Sequence, residues 1–204
     1  MIVHDVEQGS AEWLELRSQI PTASNFSQLV TPTGKKSTSI TTLAAQIAAN
    51  IYSGENLNND FESYDMKRGR LLEPVARNLY GFLYNENPEE IGFITDDGLN
   101  YGCSPDSLVS ESGLLEIKCL SVPNHTKAIA ACFNDEIPSD YIPQIQGQIY
   151  TAERDWCDLF FYHPKLPPNK IRVFRDESFI KTLAEQLDKF KDHLADYLSI
   201  LENC

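Results

Sequence analysis

No stretch of the 204 residues is apolar for long enough to cross a bilayer as a helix, so a transmembrane segment is not expected. The first residues, Met1-Ile2-Val3-His4-Asp5-Val6-Glu7, have neither the basic start nor the apolar stretch of a secretory signal, and the expected compartment is the cytoplasm. Cysteine is sparse and irregularly placed. Cys103, Cys119, Cys132, Cys157 and Cys204 form no Cys-x-x-Cys pair. An odd count without a signal argues against a disulfide framework, and the scatter argues against an iron–sulfur cluster or a structural zinc site. His4, His125, His163 and His193 have no metal-ligand spacing and read as structural or surface residues. Basic charge is the other shortage: 17 Lys and Arg stand against 30 Asp and Glu, a net charge of −13. Phosphate binding draws on Lys and Arg. By itself this balance favours a small-molecule enzyme or a protein-binding module. The exceptions are basic islands, Lys35-Lys36 and Lys67-Arg68-Gly69-Arg70 with Arg77. A bound metal ion would also invert the local charge.

What is present is an ordinary globular composition, 42% hydrophobic and 23% charged, with enough length for one α/β domain and no repeat or low-complexity segment. Ser10 caps a short helix containing Trp13, Leu14 and Leu16 that ends near Arg17. A second helix is expected from Thr22-Ala23-Ser24, followed by a polar loop over Thr31-Pro32-Thr33-Gly34-Lys35-Lys36-Ser37. Ile40, Leu43, Ala44, Ile47 and Ile51 give a helical stripe. Leu72, Val75, Ala76, Leu79 and Leu83 mark a long amphipathic helix starting near Met66, with Glu73 among the apolar positions. A β region follows over residues 91–95, 101–104, 107–110 and 114–120, with turns at Asp96-Asp97-Gly98 and Glu111-Ser112-Gly113. Helices are then expected over 126–133 and 141–151, strands over 156–162 and 171–174, and a closing helix over 178–201. The order predicts an α/β (α+β) domain with a central mixed sheet flanked by helices, in one domain over residues 1–204.

The chemistry lies in Pro105-Asp106, a short spacer, then Glu116-Ile117-Lys118 inside the apolar run Leu114-Leu115-Glu116-Ile117-Lys118-Cys119. Side chains on a strand alternate between faces, so Glu116 and Lys118 share one face while Leu115, Ile117 and Cys119 take the other. Two charges on an apolar strand are costly unless they are paired or bound to a metal. If the segments pair as a hairpin, Asp106 reaches the same point. Hard oxygen ligands with vacant positions suit Mg²⁺ or Mn²⁺ rather than zinc. Lys118 would orient or deprotonate a nucleophile, helped by a pKa lowered on burial. Acidic-x-Lys alone is not specific: Asp65-Met66-Lys67 has the same form with no Pro-Asp upstream, and Glu116 with Lys118 could be a structural ion pair. Pro105-Asp106 and the helical Glu73 tip the balance toward a site.

Asp106, Glu116-x-Lys118 and Glu73 resemble the PD-(D/E)xK nuclease superfamily. Gln8-Gly9-Ser10 through Trp13-Leu14-Glu15-Leu16-Arg17, with Pro21-Thr22-Ala23-Ser24, is similar to the N-terminal signature of the phage lambda exonuclease (YqaJ-type) family. Gly69-Arg70-Leu71-Leu72-Glu73 resembles its first acidic helix, and Tyr141-Ile142-Pro143-Gln144-Ile145-Gln146 its glutamine motif. The segments stand in the family's order and cover residues 8 to about 160.

The resemblance implies a restriction-endonuclease-like core and a Mg²⁺-dependent 5′-to-3′ exonuclease. It would act on linear double-stranded DNA, with two ions and Mn²⁺ as a substitute. Asp106 and Glu116, with the carbonyl of Ile117, would be metal ligands. Lys118 would position or activate the water, Glu73 would act in the outer metal shell, and Gln144 would orient the water or the strand. Arg17 and Ser24 would hold the 5′-phosphate, with Thr22 and Trp13 beside them, and Lys35, Lys36, Arg68 and Arg70 are the further DNA-contact candidates. Gln144 and Gln146 cannot share one helical face, which favours Gln144. Tyr141 lies one turn before Gln144. The region between Leu57 and Tyr64 would part the strands. The family forms homotrimeric rings, partners a single-strand annealing protein in recombination, and works in the cytoplasm of a bacterial or phage-infected cell, with no membrane contact. The rival readings are an endonuclease, a RecB-like nuclease of different polarity, and a degenerate fold used for DNA binding.

Overall fold

The computed structural model describes residues 1–57 and 64–204. The strand-separating region expected between Leu57 and Tyr64 lies almost wholly outside the described residues. The core is a four-stranded mixed sheet in the order β4 (Ser107–Val109), β5 (Gly113–Cys119), β6 (Trp156–His163), β7 (Leu166–Phe174). Here β4 and β5 form an antiparallel hairpin, β5 runs parallel to β6, and β6 and β7 are antiparallel. A second sheet joins β1 (Ile2–His4), β2 (Phe93–Thr95) and β3 (Gly102–Cys103), all antiparallel. The expected single sheet is therefore split. The chain leaves β3 through Ser104-Pro105, and Pro105 has no N–H with which to continue a ladder.

Among the described residues, six α-helices cover the sheets: α1 (Ala11–Ser18), α2 (Ile40–Ser53), α3 (Tyr64–Tyr84), α4 (Val122–Phe133), α5 (Ile142–Thr151) and α6 (Glu177–Glu202). Ser10 caps α1 as expected, its hydroxyl accepting from the Trp13 amide at 3.2 Å. The segment opened by Thr22 is a 3-10 helix, Ala23–Gln28, rather than an α-helix. Asp176 caps α6 by accepting from the Ser178 and Phe179 amides. Strand β7 begins five residues earlier than the sequence suggested. Pro167 and Pro168 argue against a central strand, but β7 is the sheet's edge, where a missing donor is tolerated.

Strand parity divides the interior. Leu114, Leu159 and Phe161 face the large core built by α2, α5, α6 and the 3-10 helix. Leu115, Ile117, Phe160 and Tyr162 face a smaller one closed by Ala76 and Tyr80 of α3. Phe160-Phe161-Tyr162 is thus core on both faces. Val75 and Leu83, expected on the buried stripe of α3, are exposed; Ala76 and Tyr80 do the packing. Helix α5 approaches the 3-10 helix closely: a Cβ at Gly147 would lie 2.3 Å from the Phe26 ring. This contact holds the Thr22–Ser24 segment against the helix that carries Gln144.

Asp158, at 0% exposure in the middle of β6, is a buried charge that the sheet must pair. It accepts from the Tyr80 hydroxyl at 2.7 Å and from Arg172 at 2.7 and 2.9 Å, and pairs with Lys170. Burial pushes its carboxyl up, but the hydrogen bonds from Arg172, Lys170 and Tyr80 outweigh that and hold it below the ordinary range. A carboxyl depressed in the fold contributes stability above its unfolded pKa, near ~3.9, and loses it as the pH falls through the folded value. Asp158→Asn is expected to cost about 3 kcal/mol near neutral pH. In urea melts, its deficit against the wild type should shrink below about pH 4; a gap independent of pH would contradict this reading.

Candidate active site

The β4–β5 hairpin does what strand parity requires. Ser107 pairs with Leu115, and the Asp106 amide donates to the Leu115 carbonyl at 3.1 Å. Asp106 is thereby set beside the middle of β5, and its Oδ2 accepts from the Ile117 amide at 2.5 Å. Glu116 and Lys118 emerge together on the face opposite Leu115 and Ile117.

Glu116 is 4% exposed and has partners on both oxygens. Its Oε1 accepts from Lys118 Nζ at 2.6 Å and from Gln144 Nε2 at 2.7 Å. Its Oε2 accepts from Gln148 Nε2 at 2.7 Å. Lys118 also donates to Gln144 Oε1 at 3.2 Å and lies 5.3 Å from the Tyr141 ring centre. Tyr141 in turn packs on Phe161. Gln146, by contrast, is spent on the scaffold: it donates to the Phe174 carbonyl and accepts from the Asp176 amide, locking α5 to the start of α6.

Glu73 sits on α3 at the rim of the same site. Arg77, one turn on, donates to it at 2.5 Å, pairs with Glu90, and reaches the Asp106 carbonyl at 3.3 Å. Sequence reasoning placed Arg77 only in a basic island and did not single out Gln148. The i, i+4 spacing from Glu73 to Arg77 and from Gln144 to Gln148 was the available signal.

The electrostatics are those of crowded carboxylates. Burial, then repulsion from Glu116 and Glu73, pushes the Asp106 carboxyl well above its ordinary range. Burial also raises Glu73, against the pull of Arg77. Burial works to lower Lys118, but the charges of Glu116 and Asp106 and its bond to Glu116 win, so its pKa is raised. Burial alone therefore does not depress Lys118 here, because the two carboxylates beside it outweigh its desolvation.

A divalent cation fits this donor set. Asp106 and Glu116 offer hard oxygens, and the burial and carboxylate repulsion that raise Asp106 are what such an ion would offset. Among the described residues no group of three or more His, Cys, Asp or Glu closes into a cage. Two carboxylates with open positions are the pattern of a Mg²⁺ site that keeps several waters.

A second cluster lies on the neighbouring elements. Arg17 donates to the Ser24 hydroxyl at 3.0 Å and stacks 4.1 Å from the Trp13 ring centre. The Thr22 and Ser24 hydroxyls are 3.0 Å apart. Arg17, Thr22 and Ser24 line a cleft of about 160 Å³ together with Asn25, Gln28 and Asn50. Asn50 braces it by donating to the Ser18 carbonyl and accepting from the Leu57 amide. Trp13 Nε1 donates to Ser104 Oγ at 2.9 Å, so α1 is bonded to the segment that ends in Asp106.

The remaining basic candidates are more dispersed. Lys36 pairs with Glu185 of α6 at 3.1 Å, and the Lys35 carbonyl closes its own loop on the Thr31 amide. Arg68 donates to the Cys119 carbonyl at 3.0 Å, at the end of β5, while Arg70 is exposed on α3 near Gly9.

Comparison with known proteins places this arrangement. A model of the YqaJ-like viral recombinase domain matches residues 12–155. An alkaline exonuclease from Laribacter hongkongensis (LHK-Exo) is 29% identical, with a TM-score of 0.83 over 95% of this chain and 97% of that one. The same figures hold for its complex with dAMP. A phage-related exonuclease from Haemophilus somnus, 14% identical with a TM-score of 0.68 over 90% of this chain and 96% of that one, shares the fold. No curated protein matches. Since the family model spans most of the sequence, the chain belongs to the YqaJ-like viral recombinase domain family, whose resemblance to lambda exonuclease its motifs carry.

Proposed function

We propose that the protein is a Mg²⁺-dependent 5′-to-3′ exonuclease. It would degrade one strand of linear double-stranded DNA from a 5′-phosphorylated end and so supply single strands for annealing-based recombination. Family membership and the likeness to an alkaline exonuclease support a nuclease of the exonuclease type. The observation that carries the finer reading is the bond between Trp13 and Ser104. It joins the Arg17–Ser24 cleft to the segment ending in Asp106, which supports reading that cleft as an anion site coupled to the carboxylates.

Asp106, Glu116 and the Ile117 carbonyl would hold the metal, with Glu73 and its Arg77 clamp at the outer rim. When bound, a divalent cation supplies Lewis acidity to the scissile phosphate and acidifies a bound water. The protein's part is positioning. Lys118, tied to Glu116 and Gln144, orients the attacking water and offsets phosphate charge. Gln144, donating to Glu116 and accepting from Lys118, fixes both side chains relative to one another. Arg17 and the Ser24 and Thr22 hydroxyls offer a charge-assisted donor set for a terminal phosphate. That LHK-Exo has been solved with dAMP, a mononucleotide, supports a reaction that releases one nucleotide at a time. A homotrimeric ring with an annealing protein as partner belongs to the same reading. It would line the channel with the DNA contacts and leave the acidic excess outside.

An end-labelled linear duplex tests this. With Mg²⁺, label should leave a 5′-phosphorylated 5′ end first, from a protein whose native mass is that of three copies. Chelation of the metal or Asp106→Asn should cut the rate by about 10³-fold or more. Release from the 3′ label, or cutting of circular duplex, would overturn the polarity or the exonuclease assignment. Arg17→Ala should slow digestion of 5′-phosphorylated ends by about 10–100-fold, the worth of a charge-assisted contact. It should leave 5′-hydroxyl ends little changed, and an equal loss on both would count against the phosphate pocket.

A further inference from the structure

Gln148 stands outside every role assigned above, yet it touches the central carboxylate. It is 1% exposed, and its Nε2 donates to Glu116 Oε2 at 2.7 Å. Gln144, one turn earlier on α5, donates to the other oxygen at the same distance. The two amides grip the carboxylate from one helical face and fix its rotation about the Cγ–Cδ bond. Lys118 adds a second donor on the Gln144 side, so Oε2 is the oxygen with acceptor capacity to spare.

The other half of the Gln148 amide makes no matching bond. Its Oε1 is buried and has no hydrogen-bond partner among the described residues. Reversing the amide would set Oε1 against the Glu116 carboxylate, acceptor against acceptor, so the orphan cannot be relieved by a flip. A residue kept only to fill space would be better served by an apolar side chain of the same length, which leaves no buried acceptor unpaired. The fold tolerates the orphan while the Nε2 bond is made.

We propose that Gln148 is a positioning residue: it sets the orientation in which Glu116 presents Oε2 to the metal. This rests on the reading of Glu116 as a metal ligand. Gln148 is then an outer partner of a ligating carboxylate, a class of contact whose loss lowers metal affinity or activity by about 10–100-fold.

The test is Gln148→Met, which keeps the volume and removes the amide. Its melting temperature should change little, since removal of the orphaned acceptor offsets the donor lost from Glu116 Oε2. Mn²⁺ binding without DNA, read by electron paramagnetic resonance, should weaken about tenfold. The Mg²⁺ concentration for half-maximal digestion should rise to match, with KM for DNA unchanged. Gln148→Asn, which keeps the amide but shortens its reach, should show the same change to a smaller degree. Wild-type Mn²⁺ affinity in both variants would overturn the inference alone. So would a lowered melting temperature with unchanged Mn²⁺ affinity, the mark of a packing role. A wild-type protein that neither binds Mn²⁺ nor digests DNA would overturn the proposed function and this inference with it.

Discussion

The site depends on holding the Glu116 carboxyl group inside a strand that is buried on both faces. A lone carboxylate there would be too costly, so the fold surrounds it with donors. Lys118 comes from the same strand face, two residues on, and Gln144 and Gln148 come from α5. Gln144 and Gln148 tie α5 to the sheet, beside Ile145 and Ile149 in the core. Polar satisfaction of one residue thus fixes the placement of a whole helix.

That helix carries consequences outward. Gly147 lets Phe26 lie against α5, and Phe26 belongs to the 3-10 helix that contains Ser24. Gln146 clamps the start of α6. On the other side of the strand, Arg77 ties Glu73 to the Asp106 backbone and so joins α3 to the β4–β5 hairpin. The carboxylate cluster and the Arg17 cleft are therefore two ends of one bonded framework. The chain's acidic balance matters less than the local order of charges at this framework.

Much of this was legible in the sequence because it is short-range. The alternation in Leu114–Cys119 has period two, and a hairpin turn with a glycine fixed its partner, so the shared face of Glu116 and Lys118 followed directly. Gln144 over Gln146 followed from helical geometry. Gln148 carried the same i, i+4 signal, but three glutamines in alternate positions look alike until Glu116 is known to lie against α5. The Glu73–Arg77 pair has the same i, i+4 spacing, but the reach of Arg77 to Glu90 and Asp106 was illegible because they lie 13 and 29 residues away. Strand β1 and the split into two sheets were missed for the same reason: β1 finds its pair at Phe93–Thr95, far along the chain. The proline pair hid the start of β7 until its edge position made it permissible. Burial rather than proximity misled the expectation for Lys118, since two neighbouring carboxylates outweigh its desolvation.

In the proposed site the crowded Asp106 and Glu116 carboxyl groups, with Glu73 at their rim, would be completed by a divalent cation. Carboxyl-carbon NMR of aspartate-labelled protein, with Asp106 assigned through Asp106→Asn, measures this directly. Without metal, Asp106 should titrate well above the ordinary carboxylate value of about 3.9. Saturating Mg²⁺ should bring it down to or below that range while leaving Asp158 unmoved. An ordinary titration without metal, or one indifferent to Mg²⁺, would contradict the account.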